Sequence, residues 1–303
     1  MAKRHRLALA LGGGGVRGLA NIGVLRAMED GDLVPDIVTG TSMGAIVGSV
    51  YAETKDAAKT EDIIREYLGN EEFIKKARKF SMSSEFDRGF LDTISEKAKK
   101  GYFFYRFLMR KSVISPEAFF SQMDHIIPDK RFDDLEIPFA CVALDIVSGC
   151  PESLHSGAVQ TAVRASSSVP GVLPPVEIGS GRYVDGGWVE TVPVSAARLL
   201  GADFVIGVDV SREIMPIDFE SQIKNSMDIL SRSDDIARSM MNTYRTMDAN
   251  FVIRPSVGNA DWSDFDNIDF YISAGLKAGQ DAIVVLKRAK RFKKFKSALW
   301  KRR

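Results

Sequence analysis

Residues 6–18 read RLALALGGGGVRG, and residues 36–44 read DIVTGTSMG. Each stretch begins with a short apolar run, which is typical of a buried strand, and ends in a turn rich in glycine. Apolar residues at helical spacing follow the first turn, at Leu19, Ile22, Leu25 and Met28. A second apolar helix is predicted over 45–53, directly after the second turn. Two strand–turn–helix units in succession predict a parallel sheet that is buried on both faces.

Strand signals return further along the chain and alternate with helical stretches. Strands are predicted at 138–147, 175–178, 182–184, 203–210 and 250–253, and helices at 157–167, 194–200, 211–246 and 269–286. We therefore predict an α/β fold: a single three-layer domain over residues 6–288, with a mainly parallel central sheet and helices on both faces. A charged helical insertion is predicted at about 55–135, and a basic amphipathic tail at 289–303.

The composition restricts the class of protein. With 303 residues, 45% of them hydrophobic, the chain can build a large core. Its 41 basic and 40 acidic residues nearly cancel, so the net charge gives no reason to expect a nucleic-acid partner. The two cysteines, Cys141 and Cys150, lack metal-ligand spacing and suit a reducing compartment. We expect neither a metal nor a cofactor.

The start of the chain resembles a secretory signal in its order of basic and apolar residues. A basic cluster, Lys3-Arg4-His5-Arg6, precedes the apolar run 7–11, but this run has five residues and a signal peptide needs about seven to fifteen. No window approaches the roughly eighteen apolar residues of a transmembrane helix. We therefore expect a cytoplasmic protein without a membrane span.

The glycine loop, Gly13-Gly14-Gly15-Val16-Arg17-Gly18, lies between a predicted strand and a helix start, where free N–H groups favour negative charge. A P-loop is excluded because Leu19-Ala20 follows the last glycine, where Lys and then Ser or Thr are required. A dinucleotide site is disfavoured, since its acidic residue belongs at the end of the second strand and Asp36 lies at the beginning. An oxyanion hole and a plain tight turn remain as interpretations.

The second turn, Gly40-Thr41-Ser42-Met43-Gly44, is a GxSxG motif on the strand-to-helix turn that this motif requires. The flanking glycines, Gly40 and Gly44, remove steric bulk so that a strained turn can project Ser42 outward. The Met43 amide is available as an oxyanion donor at the helix start. Because parallel strands end at the same edge of a sheet, the two turns are expected to converge.

A serine hydroxyl is a poor nucleophile and needs a base. The chain has three histidines, His5, His125 and His155. The α/β-hydrolases place their catalytic histidine late, after the serine and the acid, and no histidine follows residue 155 here. The alternative base is Asp185, in the sequence YVDGG at 183–187, which also fits a simple hairpin turn.

Together these motifs resemble those of the patatin-like phospholipases. The segments 13–18, 40–44 and Asp185-Gly186-Gly187 are similar to the glycine loop, the nucleophile elbow and the DGG or DGA motif of that family, in the same order. Residues 162–171 resemble the segment before the family's catalytic aspartate, and Val192-Pro193 resembles the residues after it. The resemblance covers about 6–201 and extends more weakly to Leu286.

The resemblance implies a catalytic dyad of Ser42 and Asp185, without a histidine. It also implies an oxyanion hole built from loop amides, those of Gly13, Gly14, Gly15, Val16, Arg17 and Gly18. Arg17 occupies the family's basic position in this loop. Glu190-Thr191 stands where many members have asparagines, and this difference is expected to affect the contacts that support the dyad. Because a free aspartate has a pKa of about 3.9, we expect partial burial to raise the pKa of Asp185.

We therefore expect a serine esterase, a lipid acyl hydrolase of the phospholipase A or lysophospholipase type. Its substrate would be a phospholipid or a lysophospholipid. The alternatives are a non-catalytic lipid-binding or regulatory module on the same scaffold, and an acyltransferase that uses the same acyl-enzyme. The combination of nucleophile, base and glycine loop favours an enzyme over a binding module.

Two further segments suggest contact with lipid. Residues 101–109, GYFFYRFLM, are aromatic and fit either ordinary core or a lid over an acyl channel. Residues 287–303 contain ten basic residues and no acidic one. An apolar stripe runs along them at helical spacing, at Phe292, Phe295 and Leu299. This tail fits a peripheral anchor for an anionic membrane at its inner face, or a solvated end.

Overall fold

The computed structural model describes residues 5–68, 120, 123–258 and 267–289. The strands are β1 (Leu7–Leu11), β2 (Ile37–Gly40), β3 (Phe139–Asp145), β4 (Cys150–Leu154), β5 (Val176–Ile178), β6 (Gly181–Asp185), β7 (Phe204–Val208) and β8 (Phe251–Ile253). The helices are α1 (Ala20–Asp30), α2 (Met43–Thr54), α3 (Ala57–Leu68), α4 (Val159–Ser166), α5 (Val194–Leu199), α6 (Phe219–Gln222), α7 (Ser226–Thr246) and α8 (Ile268–Arg288). Short 3-10 turns lie at Gly15–Leu19, Phe132–Asp134 and Gly186–Trp188.

The strands form one mixed sheet in the order β5-β6-β3-β2-β1-β7-β8, with β4 also paired to β3. The run from β3 through β2, β1 and β7 to β8 is parallel. The pairs β3–β4, β3–β6 and β5–β6 are antiparallel. The prediction of an α/β fold with a mainly parallel sheet is confirmed, and the antiparallel strands gather at the β3 side.

The central strand β1 is buried on both faces, and its side chains alternate between two cores. Leu7, Leu9 and Leu11 belong to the large core that contains residues of α1, α2, α4 and α8. Ala8 and Ala10 point the other way and pack with residues of α5, a helix that follows the DGG motif. The leucines face the thick helical layer and the alanines let a short helix approach closely. The two cores establish the three layers.

The helices α1 and α8 touch backbone to backbone. A Cβ atom on Gly23 would lie 2.0 Å from the carbonyl oxygen of Ile272, and one on Gly275 would lie 1.9 Å from the oxygen of Ala20. No side chain fits between them at these positions. The contact joins the last described helix of the chain to the first strand–turn–helix unit.

Three predicted segments differ from the structure or lie outside it. The single helix predicted over 211–246 is wrong at its start, because 211–218 is not helical and Pro216 cannot donate the backbone hydrogen bond of a helix. Strand β4 was not predicted, since its sequence, CPESL, is polar and largely exposed. Most of the predicted insertion, including 101–109, and residues 290–303 of the tail lie outside the described residues. None of the described helices is long and apolar enough to cross a bilayer.

We predict that Gly275→Ala lowers the free energy of unfolding by about 1–3 kcal/mol or more, because the added methyl group overpacks the α1–α8 contact. This loss should appear although alanine favours a helix interior by about 1 kcal/mol over glycine. Urea unfolding at equilibrium measures the effect. Ser273→Ala, at an exposed position of the same helix, is the control and should change stability by less than about 0.5 kcal/mol. An unchanged or raised stability of Gly275→Ala would contradict the close contact.

Candidate active site

Ser42 lies at the sharp turn between β2 and α2. Its backbone has φ 55° and ψ −124°, a conformation that residues other than glycine rarely adopt. Gly44 makes the turn possible, because a Cβ atom there would lie 2.1 Å from the carbonyl oxygen of Leu11 at the end of β1. The turn is therefore pressed against the neighbouring strand and holds Ser42 at the helix start. This is the geometry of a nucleophile elbow.

The elbow is held from both sides by hydrogen bonds. The Ser42 N–H donates to Oγ of Ser166 at 3.1 Å, and that hydroxyl donates to the carbonyl oxygen of Val142 at 2.7 Å. On the other side, the Thr41 hydroxyl donates to the carbonyl oxygen of Glu190 at 3.0 Å. Ser166 was not predicted as a site residue, although it lies in the segment 162–171 that carries part of the family resemblance.

Asp185 ends β6 and is 4% exposed. Its N–H donates to the carbonyl oxygen of Ser168 at 2.9 Å, and its Oδ1 accepts a hydrogen bond from the Gly187 N–H at 2.7 Å. The chain continues into the 3-10 turn Gly186–Trp188 instead of returning as a strand, so the hairpin interpretation is wrong. Gly186 is needed here, since a Cβ atom would lie 2.4 Å from the carbonyl oxygen of Val142.

The side chains of Ser42 and Asp185 interact, and burial changes the acidity of the carboxyl group. Burial raises the pKa of Asp185 to about 6. Three neighbours act in the opposite direction: the Ser42 hydroxyl, the hydrogen bond from the Gly187 N–H, and the positive charge of Arg238. Desolvation outweighs them because the carboxylate loses nearly all contact with water. The result is a carboxylate that is ionised at neutral pH and more basic than a free aspartate.

The three histidines have other surroundings. His155 is exposed, with Nδ1 2.8 Å from the carbonyl oxygen of Ser153, and His125 is also exposed. Nδ1 of His5 lies 3.7 Å from the Asp203 carboxylate, beside the start of β1. It is therefore at the opposite end of the parallel strands from Ser42. These positions agree with a site that uses Asp185.

The glycine loop lies directly against the elbow. A Cβ atom on Gly13 would lie 3.1 Å from Cβ of Ser42, and one on Gly18 would lie 2.6 Å from Cβ of Met43. The Gly13 N–H donates to the carbonyl oxygen of Thr191 at 3.0 Å, so it holds the loop in place and is not free to bind an oxyanion in this conformation. The Arg17 side chain donates from Nε to the carbonyl oxygen of Val210 at 3.3 Å.

Glu190 and Thr191 connect the parts of the site. The Glu190 carboxylate, 2% exposed, accepts hydrogen bonds from the N–H and the hydroxyl of Ser195 at 2.8 and 2.6 Å and so secures the first turn of α5. The Thr191 hydroxyl donates a hydrogen bond to the carbonyl oxygen of Gly187 at 3.1 Å, and the carbonyl oxygen of Thr191 accepts one from the Gly13 N–H. Thr191 therefore ties the DGG turn to the glycine loop.

Arg238 and Trp188 also belong to the site and were not predicted. Trp188 follows Asp185 by three residues, and the Arg238 guanidinium lies 4.8 Å from the centroid of its ring. It forms ion pairs with Asp234 at 2.8 Å and Asp235 at 2.6 Å on its own helix, α7. Neither residue belongs to a motif, and their contact depends on how α7 folds back over the sheet.

Residues 9–198 match the family model of the patatin-like phospholipases, which is more than half of the chain. The chain belongs to the patatin-like phospholipase family. The family resemblance of the sequence motifs is thereby confirmed. The three patatin-like motifs all lie within the matched residues, whereas Arg238 and α8 lie beyond them.

Curated patatin-like relatives are much longer proteins. The human patatin-like phospholipase domain-containing protein 6 is 31% identical over 211 residues, which cover 69% of this chain and 14% of that protein. Lysophospholipase nte1 of Emericella nidulans is 29% identical over 223 residues, which cover 68% of this chain and 12% of that protein. Among solved structures, VipD from Legionella pneumophila aligns with a TM-score of 0.49 and 13% identity, over 94% of this chain and 67% of that one.

We predict that Asp185→Asn stabilises the fold at neutral pH. The folded pKa of about 6 exceeds the unfolded value of 3.8, so the folded state holds the proton more tightly and ionisation destabilises it. Stability is therefore lost as the pH rises from about 4 to about 6, and a neutral side chain avoids a loss of roughly 1.5–3 kcal/mol above that range. Urea unfolding at pH 4.5 and pH 7.5 should show a larger gain at the higher pH.

Asp145→Asn is the matched control, with the opposite sign expected. Hydrogen bonds to the Asp145 carboxylate, first among them one from the Arg182 N–H, lower the pKa of this group to about 2. Its substitution should therefore destabilise the fold at neutral pH. A destabilised Asp185→Asn protein at pH 7.5, or a gain that does not change with pH, would contradict the assigned pKa.

Proposed function

We propose that this chain hydrolyses the carboxylic esters of lipids, with Ser42 as the nucleophile and Asp185 as its base. The observation that supports this most directly is the interaction of the Ser42 side chain with a buried carboxylate whose pKa is about 6. A general base works best when its pKa lies near the pH of the reaction. A half-buried serine on a strained elbow, beside a buried carboxylate, has no evident purpose in a module that only binds.

The reaction proceeds through an acyl-enzyme. The ionised Asp185 carboxylate takes the hydroxyl proton as Oγ of Ser42 attacks the ester carbonyl carbon, and a tetrahedral intermediate forms. The intermediate collapses when the bond to the alcohol breaks, and Asp185 returns the proton to the leaving oxygen. Water then attacks the acyl-Ser42 ester while Asp185 takes its proton. The bond between the acyl carbon and Oγ of Ser42 breaks, Asp185 returns the proton to that oxygen, and the fatty acid leaves. No further group is needed for these proton transfers.

The oxyanion would be stabilised by backbone amides beside the elbow. The Met43 N–H is at the start of the twelve-residue helix α2, whose dipole favours a negative charge. The facing loop adds the amides of Gly14, Gly15, Val16, Arg17 and Gly18 as further candidates. Because the Gly13 N–H is bound to Thr191, we assign Gly13 a role in packing the loop against Ser42.

The substrate that we propose is a phospholipid or a lysophospholipid. Fungal relatives carry the name lysophospholipase, so lysophospholipid is the first lipid to test. An acyltransferase would share every step up to the acyl-enzyme and would differ in the second nucleophile, an alcohol in place of water. Release of free fatty acid distinguishes the two reactions.

We predict that Ser42→Ala and Asp185→Asn each lower kcat/KM at least about a thousandfold, because the nucleophile and the base act as one unit. Turnover of a nitrophenyl ester of medium chain length and release of fatty acid from lysophospholipid measure this loss. Asp145→Asn, outside the dyad, is the control and should remain active. Activity of Ser42→Ala near that of the wild type would show that another residue is the nucleophile, and an inactive wild type would favour a binding module.

We also propose that the basic tail makes a peripheral contact with anionic lipid at the cytoplasmic face of a membrane. The ten basic residues of 287–303, without any acidic one, support this contact. Removal of residues 290–303 should weaken binding to vesicles that contain an anionic phospholipid, measured by co-sedimentation at low salt. The effect should disappear in about 0.5 M salt, where charges are screened within a few ångströms. Unchanged binding after the deletion would disprove the contact.

A further inference from the structure

The helix α7 exposes large apolar side chains along its whole length. Its two buried residues are Asn242 and Thr246, both polar. The exposed apolar residues are Met227, Ile229, Leu230, Ile236, Met240, Met241 and Tyr244, followed by Met247 just after the helix. Exposed apolar surface of this extent is uncommon on a soluble domain and usually marks a contact with a partner or a membrane.

Charge is absent from one side of α7. At 3.6 residues per turn, one side of the helix contains the exposed positions 226, 229, 230, 233, 236, 237, 240, 241, 244 and 247, which hold apolar or small uncharged side chains. We call these ten positions the apolar face. All six charged residues of the helix lie on its other side: Asp228, Arg232, Asp234, Asp235, Arg238 and Arg245. A helix of 21 residues presents such a face over roughly 30 Å.

The opposite side of α7 is attached to the candidate active site. Arg238 stacks on Trp188 in the turn that follows Asp185, and its charge lowers the pKa of that carboxyl group. Further along, Nδ2 of Asn242 donates to Oδ1 of Asp209 at 3.1 Å, just beyond the end of β7. The apolar face is therefore the outer surface of the element that covers the catalytic turn.

We propose that the apolar face of α7 is an interfacial surface that lies on an uncharged lipid layer and sets the active site against it. The proposal rests on the proposed function, because a hydrolase that acts on membrane phospholipids takes its substrate from an aggregated lipid phase. A face without charge matches the apolar boundary of such a layer, while the charged side remains on the protein. The helix that touches the lipid is the same helix that contacts the Asp185 turn.

This surface is distinct from the basic tail in what it binds. The tail depends on negative lipid charge and is weakened by salt, whereas the apolar face depends on buried apolar area. Binding through α7 should therefore extend to vesicles of pure phosphatidylcholine, which carry no net charge, and should persist in about 0.5 M salt. The two contacts can be measured separately.

The test compares two double variants of the full chain, each in the Ser42→Ala background so that vesicles stay intact. Leu230→Glu with Met241→Glu places charge on the apolar face, at side chains that are 62% and 44% exposed. Leu199→Glu with Val34→Glu is the matched control, at side chains that are 61% and 44% exposed. These residues precede β7 and β2, so they lie at the opposite end of the parallel strands from Ser42. Co-sedimentation with phosphatidylcholine vesicles at high salt should be at least tenfold weaker for the first variant and unchanged for the control.

Activity separates this proposal from the proposed function. In proteins that retain Ser42, the α7 double variant should turn over a soluble nitrophenyl ester like the wild type and lose turnover on vesicles. Normal vesicle binding by the α7 variant would overturn the interfacial surface even if the enzyme is active. Vesicle binding that is weakened equally in the control variant would overturn it too. The same holds if the α7 substitutions dissociate a dimer and leave vesicle binding unchanged. An inactive wild type whose vesicle binding still depends on α7 would refute the dyad and support the surface.

Discussion

The strained turn at Ser42 is the constraint on which the rest of the site depends. A residue other than glycine with φ 55° and ψ −124° costs about 1–3 kcal/mol, so the surrounding structure must hold it. The absence of a side chain at Gly44 lets the turn press against the carbonyl oxygen of Leu11. Because β1 ends at Leu11 and the glycine loop follows it, this one contact places the serine and the loop side by side.

Burial of Asp185 lowers the stability of the fold at neutral pH and raises the basicity of the carboxylate. A carboxylate that is removed from water is destabilised when it is ionised, and the same cost raises its pKa and makes it a stronger base. The Ser42 hydroxyl, the Gly187 N–H and the charge of Arg238 recover part of the cost and keep the pKa at about 6. Stronger compensation would leave the carboxylate too weak a base, and weaker compensation would leave it protonated at neutral pH.

The two sides of helix α7 have different surroundings. On its inner side Arg238, which forms ion pairs with Asp234 and Asp235, lies over the Trp188 ring in the turn that follows Asp185. On its outer side ten positions carry no charge. Helices that are polar inside and apolar outside reverse the usual pattern of a globular surface, and this reversal indicates an external apolar contact instead of core packing.

The local sequence determined the glycine loop, the elbow and the alternation of strands and helices, because each depends on a few neighbouring residues and on the steric freedom of glycine. It could not decide whether Asp185 lies beside Ser42 or in a hairpin turn elsewhere, since Asp-Gly-Gly suits both. The sheet decided its position: β6 pairs with β3, which adjoins β2, and this order brings the end of β6 to Ser42. The same holds for Ser166, Thr191 and Arg238, whose roles rest on contacts between residues far apart in the chain. Such contacts are set by strand order and helix docking, which no short motif encodes.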